Sequence, residues 1–115
     1  MLQEDEFITL PAVFMNEAPI SMAALASALG NRIRWRALQE LAAGEPLITI
    51  ELSERTGLAG NTLARHMKIL LAKGLVTQNR AGQYAIPAQH LVSKEERIVD
   101  YGTCLLRLGV GATPA

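Results

Sequence analysis

Apolar residues recur every three or four positions in the first half of the chain, which is the spacing of amphipathic helices. Ser21 is a suitable N-cap for a first helix, which the glycine of Gly30-Asn31 would end. A second helix is predicted from Arg32 to Ala43, and Gly44 ends it. The residues of this helix predicted to face inward are Ile33, Trp35, Ala37, Leu38, Leu41 and Ala42. Trp35 is thus expected in the core.

Two further short helices follow closely on each other. The first is predicted to start from Thr49 as N-cap and to end at Thr56-Gly57, and the next from Asn61 as N-cap, over residues 62–73. The second helix has one apolar face made of Leu63, Met67 and Leu70. Two short helices joined by a glycine-containing turn are typical of a helix-turn-helix, whose second helix enters the major groove of DNA.

The stretch after Gly74 alternates in a way that predicts a β-hairpin. Residues 75–78 and 83–86 are the predicted strands, residues 79–82 are the turn between them, and Pro87 closes the second strand. A hairpin directly after a helix-turn-helix is the wing of a winged helix-turn-helix. We therefore predict a mainly α fold with a β wing, with residues 21–90 as the DNA-binding domain.

The two ends of the chain are assigned to dimerisation. Ser93 and Glu96 have the spacing of a capping box, and the apolar residues after them predict a helix over residues 91–109. Such a helix either completes the core of the monomer or, with residues 1–20, forms a two-fold interface, and we favour the interface. Residues 1–20 are a short helix or an extended arm, and residues 110–115 are predicted to be a flexible tail.

The composition indicates the class of protein but does not identify its binding partner. Half of the 115 residues are apolar and 19% are charged, which fits one compact domain, and the net charge is zero. The charges are unevenly placed, because residues 1–31 contain four acidic and no basic residues, whereas residues 61–83 contain four basic and no acidic ones. The basic run is either a solvated helix face or a surface for nucleic acid.

Several classes are disfavoured. No apolar run approaches the roughly 18 residues of a membrane span, and acidic residues stand where a secretory signal would be basic, so we expect a cytoplasmic protein without a membrane partner. The single cysteine, Cys104, cannot form an internal disulfide. Nothing resembles a nucleophile with its base, a phosphate loop or a metal cluster, so an enzyme is not expected.

The polar residues on the outer side of the fourth helix and on the wing suit DNA. Asn61, Thr62 and Arg65 are predicted to contact base edges, and Lys68 to contact phosphate. At the wing tip, Arg80 is predicted to reach the minor groove or a phosphate, supported by Asn79 and Gln83.

Residues 25–86 resemble the ArsR-type winged-helix repressors. The segments with the resemblance are Leu29-Gly30-Asn31-Arg32-Ile33-Arg34, Trp35 to Gly44, Glu51-Leu52-Ser53-Glu54 and Leu63-Ala64-Arg65-His66-Met67-Lys68-Ile69-Leu70 through Gly74-Leu75-Val76. The resemblance implies a dimer that binds an imperfect palindrome and releases it when an effector binds, with the first and last helices at the dimer interface. His66 matches a histidine of this family, and its role is either a DNA contact or a structural one. Arg34 matches an arginine of the family, and its role is either a phosphate contact or a structural pairing with Glu51 or Glu54.

The metal sites of the family are not matched. Ile48 and Ile50 occupy the positions of its paired cysteines, and its second site corresponds here to Ala88, His90, Tyr101 and Cys104, of which only His90 and Cys104 could bind a metal. We therefore predict no metal and no cofactor.

The sequence thus predicts a DNA-binding transcriptional regulator, a repressor, that recognises a palindromic operator in double-stranded DNA. It would bind as a homodimer, through residues 61–73 and the wing at residues 75–87. A small apolar effector is placed near Phe7, Phe14 and the C-terminal helix. The alternative is a winged-helix module for protein assembly, which the zero net charge allows.

Overall fold

The computed structural model describes residues 20–109, which fold into four helices followed by two small antiparallel sheets. The helices are α1 (Met22–Leu29), α2 (Arg32–Leu41), α3 (Thr49–Thr56) and α4 (Gly60–Ala72). The first sheet contains β1 (Thr77–Gln78) and β2 (Tyr84–Ala85). After a 3-10 turn at Ala88–His90, the second sheet contains β3 (Leu91–Ser93), β4 (Ile98–Asp100) and β5 (Leu105–Arg107). None of the helices within residues 20–109 has the length and apolar character needed to cross a membrane.

The first two helices begin at side-chain caps. The Ser21 hydroxyl accepts a hydrogen bond from the Ala24 amide at 3.1 Å, as predicted. Asn31 caps α2 with its side-chain oxygen, which accepts from the amides of Ile33 and Arg34 at 2.9 and 3.2 Å. Both caps satisfy amides that have no partner inside the helix, and they fix where each helix starts.

The other two helices begin earlier than predicted, so Thr49 and Asn61 are not their N-caps. The N-cap of α3 is Ile48, whose amide donates to the Glu51 carboxylate at 3.0 Å, so a residue inside the first turn does the capping. The N-cap of α4 is Ala59, without a side-chain cap. Asn61 is therefore an exposed residue of the first helical turn.

The turn between α3 and α4 is held by hydrogen bonds from side chains of α3 to the backbone of Leu58. Gly57 has φ +77°, a left-handed conformation that glycine adopts without the steric cost of a side chain. The Ser53 hydroxyl donates to the Leu58 carbonyl at 2.6 Å, and the Leu58 amide donates to the Thr56 hydroxyl at 3.2 Å. These contacts attach the turn to the end of α3, and the predicted helix-turn-helix is confirmed.

The wing is also confirmed, with shorter strands than predicted. Thr77 pairs with Ala85 and Gln78 with Tyr84, in an antiparallel register. Leu47 adds an isolated bridge to Tyr84, with backbone hydrogen bonds of 3.0 and 2.8 Å. The wing is thereby attached to the segment that leads into α3.

The predicted dimerisation helix at residues 91–109 is wrong, because this segment is a three-stranded meander in the order β3-β4-β5. Val99 pairs with both Leu91 and Leu106, and all three turn towards the core. Every second side chain points inward, as in a strand and not as in a helix. These inward side chains are Val99 and Tyr101, then Leu106 and Leu108. The Glu96 amide does donate to the Ser93 hydroxyl at 3.1 Å, but this bond lies in the loop between β3 and β4.

The meander completes the core of the monomer. Its side chains Val99, Tyr101, Leu106 and Leu108 join those of the four helices in a single cluster. The Tyr101 hydroxyl donates to the Leu75 carbonyl at 2.7 Å, between α4 and the wing, and burial raises the pKa of this phenol well above its usual range. Trp35 packs against the same cluster and is only partly buried, and its indole N–H has no partner among residues 20–109.

Several of the predictions concern the two ends of the chain. Residues 1–19 and 110–115 lie outside the described residues, and with them the predicted N-terminal dimer contact, the flexible tail, and Phe7 and Phe14 of the predicted effector site. The C-terminal helix, the remaining part of that effector site, is replaced by the meander.

Candidate nucleic-acid interface

The helix α4 is anchored on one side and polar on the other. Leu63, Met67 and Leu70 are fully buried, which fixes the rotation of the helix about its axis. Asn61, Arg65 and Lys68 are exposed and follow each other at steps of four and three residues, so they form one outward stripe. Thr62 lies beside this stripe and is partly buried. The structure therefore places all four on or next to the outer face.

The cations of this face form no ion pair with an acidic residue in the described part of the chain. Among residues 20–109 the ion pairs join Arg36 to Glu40 and Arg55 to Glu45, each at 2.9 Å. Arg65, Lys68 and the wing's Arg80 take part in neither. Their positive charge is therefore directed to the solvent, in contrast to that of Arg36 and Arg55.

The wing tip presents Arg80 on a turn that is closed by hydrogen bonds of the Asn79 side chain. The Asn79 side-chain oxygen accepts from the amides of Ala81 and Gln83, at 3.0 and 2.9 Å. The Asn79 side-chain amide donates to the Gln83 side-chain oxygen at 2.9 Å. Arg80 is exposed between them, so Asn79 and Gln83 form a frame for the one cation of the turn.

His66 is held by an arginine from a distant part of the sequence. The Arg34 guanidinium donates to His66 Nδ1 at 2.9 Å, to the Ala28 carbonyl at 2.7 Å and to the Ser27 carbonyl at 3.3 Å. Of the two alternatives for Arg34, the pairing with Glu51 or Glu54 is wrong, because its guanidinium bonds go to these three partners instead. The sequence offered no local sign of this contact, since 32 positions separate the two residues.

The environment of His66 favours the neutral ring. Burial, together with the positive charges of Arg34 and Arg65, lowers the pKa of His66 below its usual value. Since Nδ1 receives a hydrogen bond from a guanidinium, which can only donate, the proton of the neutral ring is on Nε2. The ring is therefore a hydrogen-bond donor at Nε2.

The residues considered for metal binding are engaged elsewhere. The His90 ring donates from Nδ1 to the Asp100 carbonyl at 3.0 Å and lies 5.0 Å from the Tyr101 ring, centroid to centroid. The Cys104 thiol contacts the Leu105 carbonyl at 3.9 Å. Between residues 20 and 109, no three His, Cys, Asp or Glu side chains are grouped as metal ligands. Ile48 and Ile50 are the N-cap and the second residue of α3.

Residues 31–77 match the family described as winged helix-turn-helix DNA-binding. The matched segment includes α2, α3 and α4 and ends at Thr77, the first residue of β1, and it is less than half of the chain. No curated protein and no solved structure matches the chain. The match agrees with the observed order of helices and hairpin and does not distinguish the ArsR type from other winged helices. Residues 31–77 are therefore similar to the winged helix-turn-helix domains of DNA-binding proteins.

Proposed function

We propose that this protein is a sequence-specific transcriptional regulator that inserts α4 into the major groove of its operator and places the wing against the neighbouring backbone or minor groove. The observation that supports this most is the outward stripe of Asn61, Arg65 and Lys68, which is exposed, with its two cations outside the ion pairs of residues 20–109, on a helix anchored by its other face. A helix in the major groove needs such donors for base edges and cations for phosphates.

The base-reading part of the proposal falls on the first half of α4. Arg65 can donate two hydrogen bonds to a guanine, and Asn61 can both donate to and accept from an adenine. Because Ala59 is the N-cap, the Asn61 side chain is not needed to cap the helix and points away from the core. Thr62 adds a hydroxyl beside them. His66 completes the set, one turn along the helix from Thr62.

The remaining contacts are to the sugar-phosphate backbone. Lys68 lies further along α4, where a flexible ammonium group suits a phosphate oxygen. Arg80 at the wing tip would enter the minor groove or neutralise a phosphate. Asn79 and Gln83 remain part of the proposed interface by position, and their mutual hydrogen bonds keep the turn in shape for Arg80.

The regulator would act as a homodimer on a palindromic operator, and as a repressor. A recognition helix of 13 residues reads one half-site, and two copies related by a two-fold axis read two half-sites about 34–36 Å apart. The resemblance to ArsR-type repressors supports dimerisation, repression and release by an effector. The surface for dimerisation is not a C-terminal helix, since the meander occupies that segment.

The test is selection of DNA from a random duplex pool with the full chain. We expect enrichment of an inverted repeat whose half-sites are about 10 base pairs apart, centre to centre. Arg65→Ala should lose operator binding while it keeps the fold and the oligomeric state. Arg107→Ala is the matched control, since Arg107 is an exposed cation on β5 in the C-terminal meander.

Three results would count against parts of the proposal. If the wild-type chain enriches no sequence, DNA recognition is refuted and a protein-assembly role is favoured. If it enriches a single unrepeated half-site, the homodimer on a palindrome is refuted. If Arg65→Ala and Arg107→Ala bind the selected duplex equally well, the assignment of α4 as the reading helix is refuted.

A further inference from the structure

Arg34 joins three elements of the domain at one guanidinium group. It lies in the first turn of α2, contacts the last turn of α1 through the Ser27 and Ala28 carbonyls, and reaches α4 at His66. No other arginine among residues 20–109 has a hydrogen bond to the recognition helix. The contact therefore connects the position of α4 with that of α1 and α2.

The orientation of this guanidinium is set by α1. The last carbonyls of a helix have no partner inside it, and they concentrate the negative end of the helix dipole. Arg34 donates from Nε and Nη2 to two of these carbonyls, at 2.7 and 3.3 Å. Two bonds on one planar group fix its plane, which leaves Nη1 pointing at His66 Nδ1 at 2.9 Å.

The opposite nitrogen of the ring is left for an external partner. His66 Nε2 has no hydrogen bond with residues 20–109, and it is not among the buried nitrogens that lack a partner. It is therefore accessible from outside on a partly buried ring. The adjacent residue along the helix, Arg65, belongs to the outward stripe, so this donor lies at the edge of the proposed interface.

The charged groups around the ring also favour the neutral form. Arg34 approaches from α2 and Arg65 from α4 itself, and both are positive. The helix α1 contributes no charged side chain. On α3, Glu51 is engaged with the Ile48 amide, and neither Glu51 nor Glu54 has a hydrogen bond or ion pair with His66. A proton added at Nδ1 would break the bond from Arg34 and place two like charges in contact.

We propose that Arg34 is a positioning residue for DNA recognition, which holds His66 as a neutral ring with Nε2–H directed to an acceptor atom of the duplex. The inference rests on the proposed DNA binding, and it adds a donor that carries no charge. A neutral donor displaces no counterion from DNA, so His66 adds to affinity without adding to its salt dependence. Arg65 and Lys68 differ from it in this respect.

The first experiment uses the free protein and needs no DNA. The ring of His66 is followed by NMR through a pH titration in the wild type, in Arg34→Met and in Arg32→Met. Arg32 is an exposed arginine on the same helix with no hydrogen bond to the ring, so it controls for the loss of one charge. We expect a predominantly Nε2–H tautomer in the wild type and in Arg32→Met, with a higher pKa and mixed tautomers in Arg34→Met.

The second experiment measures affinity for the duplex selected by the wild type. His66→Ala and Arg34→Met should each bind at least tenfold more weakly, with the slope of log affinity against log salt unchanged for His66→Ala. Combining the two substitutions should add little to either alone, because they act on one contact. Thermal unfolding of each variant shows that the measurements refer to folded protein.

The outcomes distinguish the positioning of His66 by Arg34 from the contact of His66 with DNA. An unchanged tautomer and pKa of His66 in Arg34→Met would overturn the positioning role, whether or not the protein binds DNA. Wild-type affinity of His66→Ala for the selected duplex would overturn the contact with DNA and leave Arg34 as a structural clamp. Failure of the wild type to bind any duplex would refute the proposed function, and the DNA contact with it, while the tautomer result would still decide the pairing.

Discussion

The hydroxyl of Tyr101 links the C-terminal meander to the end of the recognition helix, and its removal is a direct test of that architecture. In Tyr101→Phe the ring remains in place, because the side chain is fully buried among the core residues. The 2.7 Å hydrogen bond to the Leu75 carbonyl is lost. The substitution thus isolates one contact between the meander and the helix-wing junction.

The expected cost follows from burial. A typical hydrogen bond contributes about 1 kcal/mol, and a buried acceptor left without its donor costs about 1–3 kcal/mol. We expect Tyr101→Phe to lower the free energy of unfolding by about 1–3 kcal/mol. At roughly 4 °C per kcal/mol for a domain of this size, the melting temperature should fall by about 4–12 °C.

The measurement is urea unfolding followed by circular dichroism and by the fluorescence of the single tryptophan, Trp35. Tyr84→Phe is the matched control, because Tyr84 is also buried but its hydroxyl has no hydrogen bond with residues 20–109. We expect that control to change the stability by less than about 0.5 kcal/mol. Equal stabilities of the two variants would refute the docking of the meander on Leu75.

Three further predictions concern pH, the turn and the wing. Because the pKa of His66 is lowered in the folded protein, the unfolded chain takes up more protons at that site. The free energy of unfolding should therefore fall as the pH decreases below about 6.5. His66→Asn should show a smaller decrease in urea midpoint from pH 7.5 to 5.5 than the wild type, and an equal decrease would contradict this. Gly57→Ala should lower the free energy of unfolding by about 1 kcal/mol, because φ is +77° although no atom blocks the new methyl group; an increase in melting temperature would contradict the left-handed turn. Arg80→Met should weaken binding to the selected duplex and reduce the salt slope by about one while the same sequence remains preferred; an altered sequence preference in a repeated selection would show that Arg80 reads bases.

The features that could be predicted from the sequence are those decided by neighbouring residues. The cap at Ser21, the apolar face of α4, the glycine turn at Gly57 and the hairpin of the wing each follow from a few adjacent positions. The outward stripe of α4 followed as well, since a buried face determines the opposite one. These local patterns were sufficient for the winged helix-turn-helix.

Apart from the N-caps of α3 and α4, which lie one and two residues before the predicted ones, the features that were missed depend on packing between distant parts of the chain. The spacing of Ser93 and Glu96 is that of a capping box, yet the same hydrogen bond closes a loop between strands. Tyr101 finds its partner 26 residues away, and Arg34 finds His66 32 residues away. Without knowledge of which segments pack together, a periodic apolar stretch can be satisfied by a helix or by a sheet, and only the packing against the core decides.

The salt dependence of binding to the selected duplex tests the central claim most directly. A fluorescently labelled duplex is titrated with the full chain at several salt concentrations, alongside a scrambled duplex of the same length. We expect affinity for the selected duplex that falls steeply with salt, with a smaller slope for Lys68→Met, and weaker binding to the scrambled sequence. Equal binding of both duplexes, or no measurable affinity even at low salt, would contradict it.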